Sequence, residues 1–90
     1  MAWKIELSVH AQKTLRNLDR QVTKRIVTFL EERVSLLDDP RSLGEALRGP
    51  ELGKYWKYRV GDYRIITDIQ DKHITIIVLR IGNRREVYRG

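Results

Sequence analysis

Residues 54–70 read KYWKYRVGDYRIITDIQ, two runs of alternating large and small, apolar and charged side chains joined at Gly61-Asp62. Period-two alternation on both sides of a two-residue joint predicts an antiparallel hairpin. Glycine in the first central position suits a type II′ turn, which fixes the register. Val60 then faces Tyr63, Arg59 faces Arg64, Tyr58 faces Ile65 and Lys57 faces Ile66. Alternate side chains lie on opposite faces of a strand. One face therefore shows Trp56, Tyr58, Val60, Tyr63, Ile65 and Ile69, suited to packing under helices. The other shows Tyr55, Lys57, Arg59, Arg64 and Asp68. Arg59 directly opposite Arg64 is unfavourable in isolation, since like charges across a strand pair repel. Either an anionic ligand belongs there, or a carboxylate such as Asp68 or Glu51 neutralises the pair.

The flanking segments complete an α+β architecture. HITIIVLRI, residues 73–81, is apolar on both faces and reads as an interior third strand after a turn at Asp71-Lys72. Upstream, Trp3, Ile5 and Leu7 alternate with Lys4 and Glu6 as a half-buried strand that Ser8 ends while capping a helix. From Val9 onward, Ala11, Leu15 and Leu18 share one helical face. Asp19 is a second N-cap, followed by Val22, Ile26, Phe29, Leu30 and Leu37 at helical spacing. Asp38-Asp39-Pro40 ends this helical hairpin, because proline cannot continue a helix and restricts the residue before it. Residues 41–53, with three glycines and a proline, read as an ordered connector. The expected order is β-α-α-β-β-β, the N-terminal strand and helical hairpin packed on an antiparallel sheet.

Length and composition bound the function. Ninety residues make one domain, 1–90, which buries roughly 60–65% of its unfolded surface. The absence of cysteine excludes disulfides, a thiol nucleophile and Cys-type zinc sites, and fits a reducing cytoplasm. MAWKIELS offers no signal peptide, and no apolar run is long enough to span a membrane. The net charge of +6 is uneven: residues 1–40 carry seven basic and six acidic side chains, residues 41–90 eleven and six. A basic second half favours a polyanionic partner, nucleic acid first.

The chemical inventory narrows this further. His10 and His73 lie apart with no third ligand, so no metal or other cofactor is expected. Asp38-Asp39 and Glu31-Glu32 are explained by helix solvation and termination, and no phosphate loop or serine nucleophile is present. Lys, Arg and Tyr remain, a set that binds a phosphodiester, stacks a base and stabilises the extra charge of a pentacovalent phosphorane. RNA needs little more, because its own 2′-hydroxyl is the nucleophile.

With these motifs in hand, the chain resembles a known family. LRGPELGKYWKYRVGDYRIITDI followed by VLRIGNRREVYR is similar to the RelE/ParE toxin superfamily over nearly the whole length, and most to its RelE branch. The resemblance implies the toxin of a type II toxin–antitoxin system, a metal-independent endoribonuclease that cuts mRNA in the ribosomal A site. It further implies a RelB-like antitoxin, and a hetero-oligomer that binds operator DNA through that antitoxin. By the same resemblance Arg64 clamps the phosphate and transition state, and Arg84 lies near the leaving 5′-oxygen as a charge stabiliser. Tyr88 stacks on the substrate, while Arg48, Arg59 and Arg85 contact RNA. Two general bases remain open: Lys57, and Glu45, which resembles a connector glutamate of the YoeB kind. The pattern departs in places. Lys54 is an out-of-register substitute for a second lysine, and Asn83 replaces a common histidine. Gyrase trapping of the ParE kind, or non-catalytic RNA binding, would be the alternative activities.

Overall fold

A computed structural model describes residues 2–84; Arg85 and Tyr88 lie outside the described residues. Strand β1 (Lys4–Leu7) leads into helices α1 (Val9–Asn17) and α2 (Arg20–Phe29), then strands β2 (Glu45–Ala46), β3 (Trp56–Val60), β4 (Tyr63–Gln70) and β5 (Thr75–Asn83). The five strands form one sheet in the order β1-β5-β4-β3-β2. The expected α+β fold is present, with two corrections to the sheet. β1 pairs with β5 in parallel, making the sheet mixed, and the connector contributes the two-residue strand β2. Neither was legible, because long-range pairing partners and a two-residue strand leave no periodic trace.

Both helices begin where side chains can satisfy their first amide groups. Ser8 Oγ accepts from the Ala11 amide at 3.0 Å, and Asp19 Oδ2 accepts from the Gln21 amide at 3.1 Å. The helical hairpin ends earlier than Asp38-Asp39-Pro40 predicts. α2 runs into a wide turn over Leu30–Val34, in which the Ser35 amide donates to the Leu30 carbonyl at 2.9 Å. Ser35 then leaves the helix path because β1 captures it: its hydroxyl donates to the Trp3 carbonyl, and its carbonyl accepts the Trp3 amide, both at 2.7 Å. The wider turn also carries Val34 fully into the core, a position the helical spacing had assigned to Leu37.

The core lies between the helices and one face of the sheet, where Ala11, Leu15, Ile26, Leu30 and Val34 meet Tyr58, Ile65, Ile69, Ile76, Val78 and Ile81. Each large side chain buried there contributes roughly 1.5–3 kcal/mol of transfer free energy. Tyr58 is fully buried, packs edge-on against Phe29 and donates its hydroxyl to the Pro40 carbonyl at 2.6 Å. Burial pushes its phenol well above the ordinary tyrosine value, so it stays a neutral donor. Among the described residues, the helices cover one face of the sheet and leave the other open. Among the described residues, no helix is long and apolar enough to cross a membrane.

The hairpin has the expected register at every pair from Lys57–Ile66 to Val60–Tyr63. Gly61 stands at φ +57 while Asp62 is not in the positive region, as a type II′ turn requires. The β4–β5 connection is longer than Asp71-Lys72: a short helical turn covers Asp71–His73, Ile74 takes φ +47, and β5 starts at Thr75.

Candidate active site

The uncovered face of the sheet gathers the basic side chains. Gly44, Glu45, Lys57, Arg59 and Arg64 line a concavity of about 200 Å³. A second hollow of about 380 Å³ adjoins it, sharing Glu45 and Lys57 and adding Ala46, Leu47, Arg48 and Leu52. The connector thus folds back on the β3–β4 hairpin that follows it, and the two meet at one place.

The connector is pinned where it meets β3. Trp56 Nε1 donates to the Leu43 carbonyl at 2.7 Å, and the Tyr58 hydroxyl holds Pro40 from beneath. Gly44 sits between these anchors at φ +82, where a Cβ would collide with the Lys57 carbonyl oxygen. Glycine is therefore required twice, for its backbone angle and for the close approach. The approach brings Glu45 directly opposite Lys57 in the β2–β3 register. Glu45 Oε1 and Lys57 Nζ lie 3.0 Å apart. The hydrogen bond from Lys57 is the largest influence on the Glu45 carboxyl and holds it below its ordinary value, with the charge of Lys57 next and those of Arg48 and Arg59 adding to it.

Arg64 is the buried cation of the site, only 9% exposed. Its Nη1 donates to the Gly61 and Tyr63 carbonyls, both at 3.2 Å, which anchors the guanidinium against the hairpin turn. Its other N–H groups have no partner among the described residues, and the side chain lines the concavity. Arg59 is exposed directly opposite it. Asp68 accepts instead from Gln70 at 2.6 Å, and neither Asp68 nor Glu51 forms an ion pair with the two arginines. The carboxylate that shares the concavity with Arg59 and Arg64 is instead Glu45, whose charge is coupled to that of Arg59, and the site holds the donors an anionic oxygen requires.

The remaining candidates are placed less centrally. Arg48 lines the adjoining hollow. Lys54 lines neither hollow; its ammonium lies 5.1 Å from the Tyr55 ring centroid. Arg84 is exposed beyond β5, its amide donating to the Asp62 carbonyl at 2.9 Å, so it stands at the hairpin-turn end of the sheet with Arg64. Asn83 is opposite Tyr63 at the end of the β4–β5 ladder. One basic residue escaped the sequence reading: Arg80 pairs with Ile66, which pairs with Lys57, so all three share the uncovered face. A phase change within β5 was the missing signal.

Residues 5–88 match the family described as ParE toxin of type II toxin-antitoxin system, parDE. The sequence is 29% identical over 89 residues to Toxin RelG of Mycobacterium tuberculosis, covering 99% of each chain. The fold is similar to a chain in the crystal structure of the toxin–antitoxin complex RelBE2 from M. tuberculosis, with a TM-score of 0.83 and 27% identity over 96% of this chain and 95% of that one. The isolated Escherichia coli RelE toxin shares the fold at a TM-score of 0.71 and 20% identity, covering 91% of this chain and 84% of that one.

Proposed function

The chain belongs to the ParE toxin family of type II toxin–antitoxin systems, on the RelE side of that superfamily, and from this premise we propose that it is a metal-independent endoribonuclease cutting mRNA in the ribosomal A site. The carrying observation is the concavity where Glu45, Lys57, Arg59 and Arg64 converge. It joins a carboxylate to three cations, the inventory that a phosphodiester with a neighbouring 2′-hydroxyl requires.

In the proposed reaction, the phosphate of one RNA linkage lies between Arg64 and Lys57. The 2′-oxygen attacks phosphorus as its proton passes to a base. The bond from phosphorus to the 5′-oxygen breaks, leaving a 2′,3′-cyclic phosphate and a 5′-hydroxyl. Of the two candidate bases, the ion pair favours Glu45: the carboxylate is the partner with a free lone pair, while the Lys57 ammonium already donates. Lys57, Arg59 and Arg64 then hold the nonbridging oxygens, whose charge grows in the transition state. Arg84 stabilises the departing 5′-oxygen, which takes its proton from water. Tyr88 and Arg85 complete the substrate contacts, with Arg48 and Lys54 on flanking phosphates.

Held inactive by a RelB-like antitoxin, a partner that the similarity to a chain of the RelBE2 toxin–antitoxin complex supports, the toxin would form a hetero-oligomer that reaches operator DNA through that partner. Primer extension on mRNA from cells making the parent chain tests the activity. Codon-phased cleavage that disappears in Arg64→Ala is expected, and intact mRNA during growth arrest would defeat the reading. A second reading, gyrase trapping, is favoured by the ParE description of the matched family. DNA breaks preceding translational arrest would establish it instead.

A further inference from the structure

Arg80 reaches the uncovered face only through an irregularity in β5. Ile76 and Val78 are fully buried under the helices, so strict alternation would turn Arg80 inward and Ile81 outward. The opposite occurs: Ile81 is 2% exposed in the core, and Arg80 pairs with Ile66 on the basic side. The register passes from Ile66–Arg80 to Thr67–Val78, so Leu79 is an extra residue, a β-bulge that inverts the phase of the strand.

Ser8 fixes this bulge. Its hydroxyl donates to the Leu79 carbonyl at 2.7 Å and its amide to the Val78 carbonyl at 2.9 Å, just past the last β1–β5 pair, Leu7–Val78. The same hydroxyl caps α1, so the bulge is tied to the start of the helical layer.

The result is a row across four strands: Glu45, Lys57, Ile66 and Arg80. With strands about 4.8 Å apart, Arg80 starts roughly 10 Å from Lys57, with Ile66 as an apolar floor between them. Arg64 and Asp68 are its diagonal neighbours on β4. In the adjacent row Gly82 stands opposite Arg64 and adds no side chain to the path.

We propose that Arg80 binds the RNA phosphate next to the one held by Lys57 and Arg64, so that the substrate strand runs across the β-strands instead of along them. The identity of the ligand as RNA rests on the ribonuclease reading; the placement of Arg80 does not. As a phosphate-binding residue, it contributes to affinity for the strand.

The test is anisotropy titration of a single-stranded, 2′-O-methylated RNA, which cannot be cleaved by 2′-attack, over about 50–200 mM salt. Arg80→Gln is expected to weaken binding and lower the slope of log affinity against log salt by about 0.7, the value of one phosphate contact on a single strand. Arg16→Gln on α1 removes the same charge and should leave the slope unchanged. Arg80→Lys should retain the slope. An unchanged slope in Arg80→Gln overturns the proposal, as does an equal loss in Arg80→Lys, which would mark a structural role. A parent chain that binds no RNA alone overturns it too, while ribosomal cleavage, read separately, still decides the ribonuclease reading. Arg80-dependent binding without any cleavage supports the proposal and defeats that reading.

Discussion

Glu45 Oε1 and Lys57 Nζ are 3.0 Å apart on directly opposed residues of β2 and β3. The contact joins the two groups that compete for the role of base, and it separates them by pH. Glu45 is held below its ordinary value of 4.5, first by the hydrogen bond from Lys57, so its carboxylate form prevails throughout the neutral range. If Glu45 accepts the 2′-proton, single-turnover cleavage is flat from about pH 5 to about pH 8 and falls only under more acidic conditions. A lysine base would give a rate that climbs toward alkaline pH. Glu45→Gln should lower the rate by about 10²-fold or more, with ribosome binding retained.

Arg64 offers a sharper loss. It is buried, anchored by two carbonyls and lines the concavity, so its guanidinium is held in place before a substrate arrives. Arg64→Ala should reduce cleavage by about 10²–10³-fold, the usual cost of removing one transition-state donor. Pull-down with the antitoxin separates loss of chemistry from loss of structure: binding should persist.

Gly44→Ala tests the connector. The substitution places a Cβ against the Lys57 carbonyl in a backbone region that disfavours L-residues. A stability loss of about 1–3 kcal/mol in urea denaturation is expected, since the strain has no easy release. Activity should fall further than stability predicts, because the displaced segment carries Glu45.

A second ion pair gives a pH-dependent stability. Arg41 donates through both terminal nitrogens to Asp71 at 2.9 Å, tying the start of the connector to the β4–β5 turn. The hydrogen bond from Arg41 lowers the Asp71 carboxyl below its ordinary 3.8. A depressed carboxyl stabilises the fold above its unfolded value and loses that contribution as pH falls through its folded value. Asp71→Asn should therefore cost under about 1 kcal/mol near neutrality, as suits an exposed pair. Thermal melts of parent and variant should converge below the lowered Asp71 value.

What the sequence revealed depended on how locally each feature is determined. The Gly61-Asp62 turn fixes β3 against β4 through neighbouring residues, so the register, and with it the shared face of Lys57, Arg59 and Arg64, could be read in advance. The helix end at Ser35 could not, because the cause is Trp3, thirty-two positions away. Glu45 could be singled out but not paired with Lys57, since that contact depends on how a glycine-rich connector folds back. Arg80 was hidden for a different reason: alternation was the correct rule for β5 except at Leu79, where one inserted residue reversed it.

β3 interleaves two kinds of information. Tyr58 and Val60 face the interior, while Lys57 and Arg59 face the concavity, so consecutive codons specify the scaffold and the chemistry by turns. A mutational scan along this strand should produce a sawtooth, with expression lost at Tyr58 and Val60 and toxicity lost at Lys57 and Arg59. Attenuated versions that still fold, suitable as harmless ligands for raising or selecting antitoxins, are to be sought only on the second set of teeth.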